Sequence, residues 1–459
     1  MPPSSKWFIL TAVGIGTFMT ALDSSVVNVI LPTIREALGS DFASTEWVVT
    51  IYLLVLSGLL LSFGRLGDLF GHRRVYLAGF GVFVASSALC GMAPSMSLLV
   101  AFRAIQALGA AMLASNSPAI LTRNFPAEQR GQALGLSATM TYLGLVTGPA
   151  FGGWLAHAFG WQAVFYINLP IGLLALAFSL RFIPDDRHRA DGERFDLAGA
   201  ILFTLGLSAL LLGLNQGHAW GWTSLPVIGL LLAALALLGG FVAVERRVAA
   251  PMLDLSLFRS SIFSLTVLSA ILNYMCVYSI IFLMPQYLID GRGLNTSTAG
   301  LLLAAQSLVM AVVAPISGTL SDRWGTRWPS VAGMAVLALG TWLLSRLDAG
   351  AGYPVIVFSL ALVGLGTGAF ISPNNSALMG AAPRHRQGIA AGVLATARSF
   401  GMVIGAGLSG AIFATVLAGS AGDGVFDAVR ASFVVAAAFA GLGILTSLGR
   451  PYGLAQTSL

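Results

Sequence analysis

The chain has 459 residues, of which 57% are hydrophobic and only 9% are charged. Soluble domains carry roughly 25% charged residues, so this composition excludes an ordinary soluble protein and predicts a polytopic membrane protein. The net charge of +6 does not indicate a nucleic-acid partner, because the arginines lie singly or in short clusters between apolar runs, as orientation signals do.

Apolar runs long enough to cross a bilayer recur along the whole chain. We expect the first run to be an uncleaved helix, since it is longer than the apolar core of a signal peptide and lacks a small-residue cleavage site. The cysteines Cys90 and Cys276 lie inside such runs, which is typical of packing residues rather than of a disulfide. We predict fourteen transmembrane helices, at residues 7–34, 45–63, 75–93, 96–121, 133–156, 161–183, 197–215, 225–244, 261–289, 297–320, 329–346, 353–379, 388–418 and 426–448.

The Lys and Arg residues predict the orientation of these helices. With the N-terminus in the cytoplasm, 18 of the 24 fall on the cytoplasmic side and two inside the membrane, Arg103 and Arg398. This bias predicts that both termini are cytoplasmic. The remaining four arginines lie on the outer side of the membrane: Arg35, Arg292, Arg346 and Arg430.

Asp23 lies deep in the first predicted span, where an ionised carboxylate costs about 2.5–3.5 kcal/mol. Burial raises the pKa of a carboxyl group and a nearby cation lowers it, so an acid exposed to each side in turn can carry a proton. Arg103 in the fourth span lies within about one helical turn of the same depth and could pair with Asp23. A fixed ion pair or helix–helix hydrogen bond remains the alternative for Asp23, and a structural arginine satisfied by backbone carbonyls remains the alternative for Arg103.

The chain contains an internal repeat. GRLGDLFGHRR (64–74), after span two, matches GTLSDRWGTRW (318–328), after span ten, at an offset of 254. GQALGLSATMTYLGLVTGPAFGG (131–153) matches GIAAGVLATARSFGMVIGAGLSG (388–410) at an offset of 257, with five glycines coincident. Spans 1–6 therefore match spans 9–14 in the same orientation, with spans 7–8 inserted, which indicates two parallel six-helix repeats. The predicted domains are residues 1–183, the inserted pair with its linkers at 184–260, and residues 261–459.

Four segments in the expected helices, together with the repeat, carry a family resemblance over nearly the whole chain. ALDSSVVNVILPTI (21–34), GRLGDLFGHRR, LLVAFRAIQALGAA (98–111) and GLVTGPAFGG (144–153) resemble the first-helix, loop, fourth-helix and fifth-helix motifs of the major facilitator superfamily, specifically its fourteen-span drug:proton antiporter branch. The resemblance implies an all-α major facilitator fold with two extra helices.

The resemblance also implies roles for the loop and fifth-helix motifs. In the family the loop after span two braces the closed cytoplasmic gate, with Asp68 against the helix that begins near Gly388, while Asp68 could also meet Arg73. The fifth-helix motif is linked to the direction of antiport, and ordinary small-residue packing is the alternative. The gate residues are Gly64, Gly67, Asp68, Gly71, Arg73 and Asp322, and the antiporter-motif residues are Gly144, Gly148, Pro149, Gly152 and Gly153.

The candidate substrate cavity is aromatic with few polar groups, which suits lipophilic or cationic guests. We expect Ser372, Pro373, Asn374 and Asn375 to interrupt span twelve. Plain helix packing remains the alternative for each cavity candidate. The candidates are Asn28, Gln106, Tyr142, Asn273, Tyr274, Tyr278, Gln306, Asn374 and Arg398.

These features predict a proton-coupled exporter of lipophilic or amphipathic small molecules, a multidrug efflux protein of the bacterial plasma membrane that confers antibiotic resistance. A dedicated exporter or flippase of one lipid or secondary metabolite is the alternative. We expect no enzyme activity, no metal site and no cofactor, with transport driven by the proton gradient. We expect the monomer to be functional. The histidines fall in loops or at span ends, and the chain has neither an HExxH motif nor a phosphate-binding loop.

Overall fold

The computed structural model describes residues 5–186, 195–248, 251–419 and 424–451, and these residues form helices and connecting turns without any β-strand. The first part of the chain contains α1 (Ser5–Ala37), α2 (Phe42–Phe70), α3 (His72–Gly91), α4 (Met96–Asn124), α5 (Arg130–Phe159), α6 (Ala163–Tyr166) and α7 (Asn168–Phe182). The insertion contains α8 (Leu197–Trp220) and α9 (Leu225–Glu245). The last part contains α10 (Ser261–Pro285), which continues as a π-helical turn (Gln286–Gly291), α11 (Thr296–Trp324), α12 (Arg327–Leu344), α13 (Tyr353–Ala381), α14 (Gln387–Gly419) and α15 (Gly424–Leu448).

Twelve segments of the described residues are long and apolar enough to cross a membrane. The helices α5 and α12, of 30 and 18 residues, occupy the fifth and eleventh predicted spans and are not among the twelve. The all-α polytopic fold is confirmed, and the total of fourteen spans stays a prediction. Span six consists of α6 and α7, which are separated at Ile167.

The expected interruption of span twelve is wrong. The helix α13 runs without a break through Pro373, and the polar side chains on either side of the proline bind neighbouring helices. Ser372 donates a hydrogen bond to the Ala314 carbonyl of α11 at 2.8 Å, and Asn374 donates one to the Thr266 carbonyl of α10 at 3.3 Å. These contacts hold α13 in place on both sides of the proline, which membrane helices tolerate when neighbouring helices pack around it.

Helix packing follows the sequence repeat. In the first half α1 packs on α5 and α4 packs on α2 and α3; in the second half α10 packs on α14 and α13 packs on α11 and α12. The halves meet along two seams, α2 with α14 and α5 with α11. In the inserted pair, α8 lies against α2 and α14, and α9 packs on α8. We call the end of the bundle where α2 meets α3 the Asp68 end.

Small residues set the closest of these contacts. A Cβ atom on Gly144 or Gly148 of α5 would overlap α1 near Leu22 and Ser25. Their repeat partners in α14, at 401 and 405, face α10 in the same way. Small residues let helices approach closely in lipid, and here they hold α5 against the helix that carries Asp23.

Candidate transport site

The centre of the first half contains a buried ion pair between α1 and α4. Arg103 Nη1 lies 2.7 Å from Asp23 Oδ2, and each residue is 1% exposed. Arg103 Nε also donates to the Val48 carbonyl of α2 at 3.3 Å, and its guanidinium stacks 4.1 Å from the centre of the Tyr52 ring. The two residues predicted to couple protons therefore lie together, although the coupling role itself stays a prediction.

Amide and hydroxyl groups surround the carboxylate. Asp23 Oδ1 accepts hydrogen bonds from Gln106 Nε2 at 3.0 Å and from Asn168 Nδ2 at 2.8 Å. Ser87 Oγ accepts from the same two amides, at 2.6 Å from Gln106 and 3.3 Å from Asn168. Gln106 Oε1 in turn accepts from Arg103 Nη1 at 2.6 Å. Helices α1, α3, α4 and α7 thus contribute to one hydrogen-bonded network that holds the Asp23 side chain away from water.

Sequence reasoning missed Asn168 and Ser87. Both were detectable as polar residues within apolar runs, but the sequence does not show that α3 and α7 lie against α1. Gln106 was predicted as a cavity residue, and the structure places it in the Asp23 network instead. The polar shell is therefore an outcome of helix packing rather than of a local motif.

At the Asp68 end, α2 caps a helix of the other half. Asp68 accepts hydrogen bonds from the backbone N–H groups of Gly388 and Ile389, both at 2.9 Å, at the N-terminal end of α14. The positive end of a helix dipole stabilises such a carboxylate. His72 and Arg123 lie 3.4 and 3.5 Å from the same side chain. The structure therefore contains the contact expected for a closed gate, and the gating role stays a prediction.

The second repeat makes the reciprocal contact. Asp322 of α11 accepts hydrogen bonds from the backbone N–H groups of Gly131 and Gln132 at 2.8 and 2.9 Å, at the start of α5. Each half thus supplies an aspartate that caps a helix of the other half. The backbones also meet closely, since a Cβ atom on Gly64 would overlap the Gly388 carbonyl.

Arg73 does not pair with Asp68. Its Nη2 donates to the Leu180 carbonyl at 2.8 Å, while its backbone N–H donates to Asp186 Oδ1 at 3.2 Å. Asp186, which the sequence did not indicate, also accepts from the His72 N–H at 2.8 Å. Gly71 joins α2 to α3 at a φ of 96°, a backbone conformation that favours glycine. Gly67 allows close packing, because a Cβ atom there would overlap Asn116 and His72.

The remaining antiporter-motif positions have different surroundings. A Cβ atom on Gly152 would overlap Val26 of α1, whereas one on Gly153 would meet nothing within 4 Å. Pro149 lies within α5, which is continuous. The structure shows close packing of α1 on α5 at three of the glycines, and a role in transport direction stays a prediction.

The cavity candidates divide into a cluster and scattered residues. Arg398 of α14 lies near Tyr274 and Tyr278 of α10 and near Tyr142 of α5. Apart from Gln106 in the Asp23 network, four candidates lie away from this cluster. Exposed Asn28 donates to the Ser24 carbonyl, and buried Asn273 contacts the Met334 sulfur. Gln306 is buried in α11, and buried Asn374 contacts Thr266 and Arg450.

The sequence model described as Major Facilitator Superfamily matches residues 13–265 and 266–457. The chain belongs to the major facilitator superfamily. It is 36% identical over 409 residues to the multidrug resistance protein Stp of Mycobacterium tuberculosis, covering 89% of this chain and 76% of that protein. It is 33% identical over 416 residues to the riboflavin transporter RibZ of Clostridioides difficile, covering 90% and 89%.

A solved structure supports the fold of this superfamily member. The proton:xylose symporter XylE superposes with a TM-score of 0.69 at 14% identity, over 98% of this chain and 97% of that one. At this identity the likeness concerns the fold alone. The relatives are transporters rather than enzymes, and the chain is a multi-pass protein of the plasma membrane.

Proposed function

We propose that this protein is a proton-coupled antiporter that exports lipophilic or amphipathic small molecules by alternating access, and that it acts in multidrug efflux. The observation that carries the proposal is the ion pair of Asp23 with Arg103, since a titratable pair at the centre of a membrane protein is expensive and typically functional. The name of the relative Stp supports the multidrug substrate range.

The network suggests how a proton would be exchanged. In the outward-open state an external proton neutralises Asp23, and the neutral acid crosses the occluded state at little cost. In the inward-open state the proton leaves, and Arg103 again pairs with the carboxylate. Asn168, Gln106 and Ser87 hold the Asp23 side chain in place, so that the proton is gained and lost without a large rearrangement.

The two crossed caps suggest how access alternates. We assign the Asp68 end to the cytoplasm because 18 of the 24 Lys and Arg residues fall on that side of the predicted spans. Asp68 and Asp322 then close the cytoplasmic entrance, and the closed entrance corresponds to the state open to the outside. The proposal includes both termini in the cytoplasm, a functional monomer and no cofactor besides the proton gradient.

A dedicated metabolite exporter is the second candidate. The name of the relative RibZ, a riboflavin transporter, favours it. The two candidates differ in breadth: a multidrug exporter lowers the accumulation of chemically unrelated compounds, whereas a dedicated exporter acts on one scaffold. A panel of dyes and antibiotics in an efflux-deficient host distinguishes them.

Coupling is tested with purified protein in liposomes under an imposed pH gradient. Asp23→Asn should lose uphill transport and substrate-induced proton movement and should retain downhill exchange. Asp23→Glu should keep part of the activity with a shifted pH profile. Asp41→Asn is the matched control, because Asp41 is exposed and caps α2 at the opposite end. If Asp23→Asn still drives substrate uphill, Asp23 is a structural partner of Arg103.

A further inference from the structure

The tyrosine–arginine cluster, which comprises Tyr142, Tyr274, Tyr278 and Arg398, joins the two halves of the protein. Tyr142 belongs to α5, Tyr274 and Tyr278 to α10, and Arg398 to α14. Tyr142 and Tyr274 pack in the same hydrophobic cluster, and α14 meets α10 beside Tyr274 at Gly401. Arg398 lies in α14 about one helical turn before Gly401. Tyr274, Tyr278 and Arg398 are only partly buried, although they lie where helices of the two halves pack together. We call this partly accessible set the wall of the proposed substrate cavity.

The charge of this wall is positive. Arg103 has a carboxylate partner, whereas no ion pair joins Arg398 to an acid in the described ranges. Asp23 is the one acid near the middle of a candidate span there, and Arg103 already neutralises it. A cation at this depth is costly when it lacks a partner. A ligand anion would offset that cost.

We infer that the tyrosine–arginine cluster binds the carboxylate or phenolate group of an aromatic substrate. An arginine fork presents parallel N–H donors to a carboxylate, and tyrosine rings pack against an aromatic scaffold in offset or edge-to-face contact. The preferred substrates are therefore aromatic anions, in contrast to the cationic guests expected from the aromatic composition alone. The inference rests on the proposed transport function and specifies its substrate class.

The inference has an electrical consequence. One proton entering and one anion leaving move charge in the same electrical sense, equivalent to two positive charges moving inward. The membrane potential acts on each charge that crosses the bilayer. Export of an anion should therefore accelerate when the interior of a proteoliposome is made negative, whereas exchange of one proton for one monovalent cation should not respond.

The test uses two dyes with the same xanthene ring system and opposite charge, anionic fluorescein and cationic rhodamine 123, and purified protein in nanodiscs. Wild type should bind fluorescein more tightly. Arg398→Gln should weaken fluorescein binding by about 10- to 150-fold, the loss expected for a hydrogen bond to a charged group, and should not weaken rhodamine binding, because it removes a like charge. Arg398→Lys should retain part of the preference. Arg346→Gln, which removes an exposed arginine, is the control of equal charge change.

Three results separate the inference from the proposed function. Tighter binding of rhodamine by wild type, or an unchanged dye preference in Arg398→Gln, overturns the inference. Proton-driven transport of rhodamine without fluorescein binding also overturns it and leaves the antiporter proposal intact. Arg398-dependent fluorescein binding without proton-driven movement of either dye supports the anion site and overturns the antiporter proposal. If Arg398→Gln does not fold, the wild-type preference and the Arg398→Lys variant decide.

Discussion

Neutralising Asp68 should open the gate at the Asp68 end. The carboxylate accepts two backbone hydrogen bonds at 2.9 Å from the start of α14. Asparagine keeps one acceptor oxygen and turns an N–H donor toward the other backbone N–H. The loss of one charge-assisted hydrogen bond is about 1.5–3 kcal/mol, and the loss of the dipole interaction adds about 0.3–1 kcal/mol.

Together these contributions amount to about 2–4 kcal/mol, which corresponds to a change of roughly 30-fold to several hundred-fold in the ratio of closed to open protein. A wild-type ratio of about 99 to 1 would fall to about 3 to 1 at the lower bound. Asp68→Asn should therefore show a substantial open population and little transport, while insertion and substrate binding persist.

Pulsed electron paramagnetic resonance can measure this change with spin labels on introduced cysteines at Glu128 and His385, which are exposed on opposite halves at this end. The native cysteines Cys90 and Cys276 are buried, so the labels report the introduced sites. Wild type should give mainly a short distance, and Asp68→Asn should add a longer one. An unchanged distance distribution in a folded Asp68→Asn protein, or an equal shift in the Asp41→Asn control, would refute the reasoning.

Three further predictions follow from the contacts. Asp322→Asn should open the gate by a smaller factor than Asp68→Asn, because it removes the same kind of helix cap but Asp68 also has His72 and Arg123 within 3.5 Å; an equal or larger change with the same spin labels would contradict this order. Gly148→Ala should lower transport at least tenfold because its Cβ would overlap Ser25, whereas Gly153→Ala, with nothing within 4 Å, should transport like wild type. Equal transport by the two variants would show that close α1–α5 packing at Gly148 is not needed for transport. Asn168→Ala should remove a hydrogen bond to the Asp23 carboxylate and move the pH dependence of transport to more alkaline values, and a profile that overlays wild type would show that Asn168 does not influence proton release.

The sequence predicted the helices well because their apolar runs are set by the bilayer thickness. The repeat between residues 64–74 and 318–328 also indicated that Asp68 and Asp322 occupy equivalent places, but the crossed contact between the halves required the structure. Asn168 escaped prediction for a related reason, since its importance depends on α7 lying beside α1. Pro373 was misread because local sequence shows the missing backbone donor and does not show the packing against α10 and α11 that holds α13 in place.

The inserted pair α8–α9 makes the two lateral seams of the protein mechanically unequal. Thr204 of α8 donates a hydrogen bond to the Gly58 carbonyl of α2 at 3.0 Å, which couples the pair to the first half. Toward α14 it leaves an apolar cleft of about 340 Å³ between Leu214, Trp222 and Ile404. When the two halves rotate relative to each other during transport, the pair should move with α2. It should then slide past α14 along this apolar cleft. The opposite seam, between α5 and α11, lacks such a flank among the described helices and is the side at which a lipid-dissolved molecule would meet the moving interface directly.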